Sequence, residues 1–591
     1  MLWRRMFPQA LLAVSVVILL VLSACGGATP PAATPTATAK AAATPTPSSV
    51  LTPPPATQPT STSQPKYGGT LRQLTYGPEV VDWDVFRRLS GNPGTNAYTV
   101  MFNTLMEWDR ADHLRPAPGL ADSFTVSSDG SSYTFKLHPG VTWQDGKPFT
   151  ADDVVATFEQ AIAKWVLAAH GSRTGGYLAD IVAGAKAVDP LTATVTLKAP
   201  DSTFGSFVTS YLLVMVPKHI LDANGGSKSV TALAKWTPFG TGPFKLKAYD
   251  PSIRLAYERN PTYWRKDAAG SQQPYLDAIE LPYIQDGNLQ FAAIRTGKFD
   301  LWPNGYPIVA DSTAAKLKEA LGSKIVIVKA NASLQDTLDF NLKGPLTGQK
   351  DFRQAINLIA DRDELKLRAY EGNLLAGAIL DPSIHGDSAL TDAELRTMPG
   401  MRAKAVDHEE ARKLLAKLNV TAQNPATIRI TGRNIGVYGL GAQALVPQLK
   451  PFNIILKVEL YEQAAGSAIL TRGDFDIDYD PDPAYIPDPW FLLDIQYITK
   501  PSDRPEYTWL GPAQDQVRTW MNETRATTDQ AKRKAIFQQL QRFILTNGDI
   551  PSAVVGYEQT NVVWYDYVKG YVVMGGIYEG LRDDYVWIDR K

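Results

Sequence analysis

The 591-residue chain contains a single cysteine, Cys25. One thiol excludes an intramolecular disulfide framework and any zinc centre built on several thiolates. Histidine is scarce as well: His113, His138, His170, His219, His385 and His408 stand singly. None pairs with another at the spacing of a helix-borne zinc site, and His408-Glu409-Glu410 lacks the second histidine of a zinc-protease helix. A charge bias is missing too, with 59 Lys plus Arg against 60 Asp plus Glu, so no strong field of either sign argues for nucleic acid. There is no phosphate-binding Gly-Lys-Ser/Thr loop and no Gly-x-Ser-x-Gly elbow. These absences lower the prior for catalysis, and neither a cofactor nor a metal is expected.

The beginning of the chain reads as an export signal. Arg4 and Arg5 supply positive charge, and Ala10 to Leu22 is an uncharged, almost wholly apolar run. That run is shorter than the ~20 residues a membrane-spanning helix needs, which fits a signal better than an uncleaved anchor. Leu22-Ser23-Ala24-Cys25 follows at once and resembles a bacterial lipobox, with Cys25 as the diacylglycerol acceptor and residues 1–25 as the lipoprotein signal. Residues 26–66 are mostly Pro, Thr, Ala and Ser, as in Pro53-Pro54-Pro55. With almost no large apolar side chain this stretch cannot form a core, and proline stiffens it into a tether.

From Tyr67 to Lys591 the composition becomes that of a folded body, too long for one ordinary core. Strand and helix patterns alternate, which predicts an α/β protein. Tyr133, Phe135 and Leu137 alternate with polar residues, the period of a half-buried strand. Thr150-Ala151-Asp152-Asp153 reads as a helix start, ahead of an apolar face through Val154, Phe158 and Ile162. Phe352, Ala355, Ile356 and Ile359 form another helical stripe, as do Ala411, Leu414, Leu415 and Leu418. Ile536, Leu540, Phe543 and Ile544 form a further one, stopped by Asn547-Gly548.

The most specific pattern runs from Gly119-Leu120-Ala121-Asp122-Ser123-Phe124 through Tyr133-Thr134-Phe135-Lys136-Leu137 to Gly140-Val141-Thr142-Trp143-Gln144-Asp145-Gly146-Lys147-Pro148-Phe149-Thr150. Further blocks follow in order: Gly240-Thr241-Gly242-Pro243-Phe244, Asn260-Pro261-Thr262-Tyr263-Trp264, Phe340-Asn341, Phe352-Arg353-Gln354-Ala355-Ile356, Asp361-Arg362 and Tyr370-Glu371-Gly372. Together they resemble the family 5 extracellular solute-binding proteins of ABC importers, the dipeptide, oligopeptide and nickel group. The resemblance implies a two-lobe periplasmic-binding-protein-like (Venus-flytrap) α/β fold with an extra subdomain in the first lobe. Lobe I is expected over 67–330, lobe II over 331–560, and a C-terminal return to lobe I over 561–591. It also implies a non-enzymatic, monomeric receptor, lipid-anchored outside the cytoplasmic membrane, that hands its solute to the permease subunits.

In the peptide-binding members an aspartate three residues before an Asp-Pro pair meets the ligand's ammonium group. The resemblance aligns that pair with Asp488-Pro489, and the contact position is then Tyr485, a phenol with a pKa near 10 that cannot supply the anion. Asp480 and Asp482 are the nearby substitutes, and Trp302 and Trp83 are the candidates for the first-lobe wall, with core packing as their alternative. An oligopeptide-like solute is expected. An oligosaccharide that stacks on the 13 Trp and 25 Tyr, or a metal complex, comes next, and a tethered hydrolase is the remote rival. For the anchor, Cys25→Ala is expected to release the protein from the membrane or leave it unprocessed. Membrane fractionation with mass spectrometry of the mature N-terminus checks this, and normal processing with full membrane retention overturns it.

Overall fold

Local pattern and long-range packing agree through most of the body. The computed structural model describes residues 64–590 except 75–82, 87–97, 111–114, 168–172, 234–235, 285, 304–307, 435, 463–465, 467–468, 471, 484–485, 499–508 and 574–582. The export signal, Cys25 and the tether up to residue 63 lie outside the described residues. The alternation at Tyr133, Phe135 and Leu137 becomes the strand Ser132–Leu137, with those three side chains buried. The helix Ala151–Leu167 starts where expected, but Asp153 makes the cap: its carboxylate accepts the Thr150 N–H at 2.8 Å. Phe352, Ala355, Ile356 and Ile359 are all buried in the helix Lys350–Ile359. The late helix Gln530–Asn547 is capped by Asp529 and ends at Gly548 in the left-handed conformation, φ 69°. No described helix is long and apolar enough to cross a membrane.

Three larger sheets organise these elements. A four-stranded antiparallel sheet contains Ala121–Val126, Ser132–Leu137, Thr192–Leu197 and Val182–Asp189 in that order. A second four-stranded sheet joins Thr70–Arg72 in parallel to Ala278–Pro282, followed by Arg254–Arg259 and Phe244–Asp250. The third sheet has seven strands and is built on two long antiparallel ones, Ile325–Phe340 and Ser552–Tyr565. Leu301–Trp302 pairs with the latter through Trp564 and Val563. Beyond a register shift between Asn331 and Gln335, Ile477–Pro483 pairs with the former, and the parallel strands Ala426–Arg433 and Ile454–Tyr461 extend the sheet.

The ordered sequence blocks are mostly scaffolding. Gly240 and Gly242 lie so close to the Met101–Phe102 backbone that a Cβ on either would stand under 3 Å from it. Gln144 holds the same turn, donating to the Gly242 and Phe244 carbonyls at 3.1 and 2.7 Å. Arg353 donates to the Ile550 and Thr347 carbonyls and pairs with Asp549 at 2.5 Å. Arg362, 4 % exposed, donates to the carbonyls of Val554, Asn357, Ala360 and Gly400, and burial pulls it down to about 10. Gly556, where Leu374–Ala376 pairs with the second long strand, permits a similar close approach, because a Cβ there would stand 2.4 Å from the Leu375 carbonyl oxygen. Gly556→Val is expected to destabilise the body by roughly 1–3 kcal/mol through overpacking. It should be read as a lower urea midpoint at unchanged slope.

Candidate functional site

The strand Ile477–Pro483 carries the sequence Ile-Asp-Tyr-Asp-Pro-Asp-Pro, and its two-residue period sorts those side chains onto two faces. Asp478, Asp480 and Asp482 stand opposite Asp339, Thr337 and Gln335, whereas Tyr479 stands opposite Leu338. Asp480 is engaged by Arg433 at both oxygens, Nε to Oδ1 at 2.7 Å and a terminal nitrogen to Oδ2 at 3.0 Å. Its negative charge is therefore compensated from within the protein. Asp482 is half-buried at the end of the same strand. Tyr485 lies outside the described residues. Three residues after it, Asp488 caps the helix Pro489–Tyr497 by accepting the Trp490 N–H at 3.0 Å.

The two tryptophan candidates lie apart. Trp302 belongs to the same seven-stranded sheet as Asp480 and Asp482, is 3 % exposed, and its indole nitrogen has no hydrogen-bond partner among the described residues. Trp83 is half-buried in an aromatic group, edge-on to Tyr98 at 5.9 Å and to Tyr249 at 5.7 Å. The sheet thus brings Trp302, Asp480 and Asp482 into one frame, whereas Trp83 packs against Tyr249 of the second four-stranded sheet.

Two further constellations join residues far apart in the sequence. The first is a buried acid group at the centre of the seven-stranded sheet. Asp336 and Glu558, both fully buried, lie on the two long strands. Tyr370 donates to Asp336 at 2.5 Å, and its oxygen lies 2.6 Å from that of Tyr479. Burial pushes both carboxyls up, Asp336 well above the usual range, and the neighbouring charge of Glu558 raises Asp336 further. The pair retains a proton where an unfolded chain has lost it. The second constellation is aromatic: Trp490 and Phe491 meet Tyr177 with ring centroids 5.9 and 5.0 Å apart. Only the position of Trp490, directly after the Asp-Pro landmark, hinted at it.

Of the histidines, His113 and His170 lie outside the described residues. His385 is buried and pushed down to about 4 by burial, so it is neutral, while His138 and His219 sit against Asp122 and Asp145 at 2.7 and 2.8 Å. Among the described residues no group of His, Cys, Asp and Glu is arranged to hold a metal.

Comparison with known proteins follows the same lines. Residues 115–503 match the profile described as bacterial extracellular solute-binding proteins, family 5, middle. The periplasmic oligopeptide-binding protein of Escherichia coli K12 is 28% identical over 502 residues, which cover 81% of this chain and 85% of that protein. Two solved structures share the fold at a TM-score of 0.72 and 22% identity. One is an ABC transporter-associated periplasmic binding protein from Helicobacter pylori in complex with the peptide STSA, covering 89% of this chain and 99% of its own. The other is the binding protein AgaA from A. tumefaciens R10 in complex with agropinic acid, covering 88% of this chain and 99% of its own. The architecture is thus the two-lobe α/β binding-protein fold expected from the sequence.

Proton retention by the acid pair sets a pH dependence. Glu558 is shifted from 4.5 to about 7, so the folded state binds the extra proton between those values and stability falls as pH rises through that window. Asp336, raised further by burial and by Glu558, continues the fall above that window. Glu558→Gln is expected to flatten this fall. Urea midpoints at pH 5, 6, 7 and 8 check it, and parallel curves for variant and wild type contradict it.

Proposed function

The chain belongs to the family 5 bacterial extracellular solute-binding proteins, and on that footing we propose that it is the receptor of an ABC importer for an oligopeptide-like solute. The solute is captured between the lobes and delivered to the permease subunits. The observation that carries this reading is the likeness to an oligopeptide-binding protein over 81% of the chain. In this reading lobe I spans 67–330, lobe II 331–560, and 561–591 return to lobe I. The register shift between Asn331 and Gln335, where the two long strands change neighbours, supports a hinge at that boundary. The receptor acts as a lipid-anchored monomer through Cys25, and it captures its solute without catalysis.

A second reading, an uncharged solute such as an oligosaccharide, is favoured by one observation. The position aligned with the peptide-ammonium contact is Tyr485, and the neighbouring Asp480 already pairs with Arg433. On this account Tyr485 faces the solute, with Asp482, Trp302 and, more remotely, Trp83 contributing to the walls. Tyr485→Ala is expected to weaken binding by roughly 1–3 kcal/mol, the scale of a well-packed aromatic contact. Tyr485→Asp is expected to shift preference toward solutes with a free ammonium group. Calorimetry of both variants against a tetrapeptide and a neutral oligosaccharide separates the readings. Unchanged affinities for both solute classes place the loop away from the cleft. The receptor reading itself is tested by small-angle scattering, in which a bound solute compacts the protein, and by mass spectrometry of whatever co-purifies.

A further inference from the structure

The aromatic contact at Trp490 is part of a larger junction between distant parts of the chain. Asp201, 2 % exposed at its side chain, accepts from Arg525 at Oδ2, with Nε at 2.7 Å and a terminal nitrogen at 2.5 Å. Beside it, the Ser202 N–H donates to the Arg525 carbonyl at 2.8 Å, and the Ser202 hydroxyl donates to the Thr524 carbonyl at 2.9 Å. The Arg525 guanidinium lies 4.7 Å from the Trp490 ring centre and 5.8 Å from that of Tyr177, and Phe207 stacks on Phe491 at 5.8 Å. A cation between two aromatic faces, closing on a buried carboxylate, is held by electrostatics that water screens only weakly.

Each side of this junction is braced on its own. Asp201 also accepts the Thr203 N–H at 2.9 Å, and Tyr177 meets the Thr203 hydroxyl at 2.6 Å. Opposite, Arg533 bonds Asp488 at 2.7 Å and the Thr524 carbonyl at 3.0 Å, which fixes the start of the Trp490 helix to the end of the Arg525 helix. The two braced sides meet through Asp201, Ser202, Tyr177 and Phe207 on one and Arg525, Thr524, Trp490 and Phe491 on the other.

We infer that Arg525 and Asp201, with Tyr177 and Trp490, form a clasp between the first-lobe subdomain and the second lobe that stabilises the closed cleft. This inference rests on the two-lobe receptor reading and adds the regulation of its closure. Arg525 is a positioning residue in this scheme: it sets the balance between open and closed protein. The solute binds the open protein and shifts it toward the closed one, and release waits for the ion pair to part.

The experiment uses the full chain with Cys25→Ala, freed of solute by unfolding and refolding, with dyes on cysteines introduced at the exposed positions Lys186 and Lys413. Single-molecule energy transfer then reads the open and closed populations with no solute present. Arg525→Ala is expected to lower the closed-to-open ratio about ten-fold, the scale of a partly buried cation between aromatic faces and a buried carboxylate. Arg525→Lys, which keeps the charge, should restore part of the closed population, a result that simple loss of packing does not give. If Arg525→Ala fails to fold, Arg525→Gln is read in the same way. Populations equal to wild type in a folded alanine or glutamine variant overturn the clasp. That outcome leaves the receptor reading standing, because solute-induced compaction is measured separately.

Discussion

The structure depends on one central strand whose second half is buried on both faces. In Ile325–Phe340 the residues from Ala332 onward are all buried, and they include Gln335, Asp336, Thr337 and Asp339. A buried polar group without a partner costs more than a made hydrogen bond gains, so each of these requires a fixed neighbour. Gln335 donates to the Ala378 and Ile379 carbonyls, Thr337 donates to the Asp480 carbonyl, Asp336 accepts from Tyr370, and Asp339 accepts from the Ser552 hydroxyl. Those requirements dictate where the strand Ile477–Pro483, the loop at 376–381 and the second long strand lie.

The sequence blocks that carry the family resemblance answer the same need. Arg353 and Arg362 are charged side chains in a core, and each is tolerated because its fork satisfies carbonyls that helix and strand ends leave open. Arg362 alone joins Val554 of the second long strand to Gly400 and to the end of the helix Lys350–Ile359. Truncating such a residue removes several bonds at once and leaves each carbonyl buried, which is why these blocks act as joints in the fold.

Local features were therefore legible from sequence and non-local ones were not. The alternation at 133–137, the stripe at 352–359 and the stop at Gly548 depend on neighbours a few residues away, and the structure has them where the pattern put them. Asp336 and Glu558 are separated by more than two hundred residues, and no spacing rule brings them together. The Arg433 partner of Asp480 is equally invisible, because it arrives on the adjacent parallel strand from some fifty residues earlier in the chain. The resemblance to a family located the Asp480–Trp490 segment, yet it carried no information on which of its charges are already compensated.

The segment from Asp480 to Phe491 joins two jobs in about one turn of strand and one of helix. Its strand end carries Asp480 and Asp482 within the central sheet, and its helix start carries Trp490 and Phe491 against Tyr177 and Phe207. Asp488, between them, is fixed by capping that helix and by Arg533, so the helix start cannot shift without disturbing the Arg525 end of its neighbour. On the proposed reading, a solute resting on the strand end and the Arg525–Asp201 pair beside the helix start act on successive parts of one segment. By linkage, whatever free energy the closed block gives to the solute, the solute returns to the closed block. Affinity and closure in the proposed receptor are then two readings of one equilibrium, set partly by the Arg525–Asp201 junction.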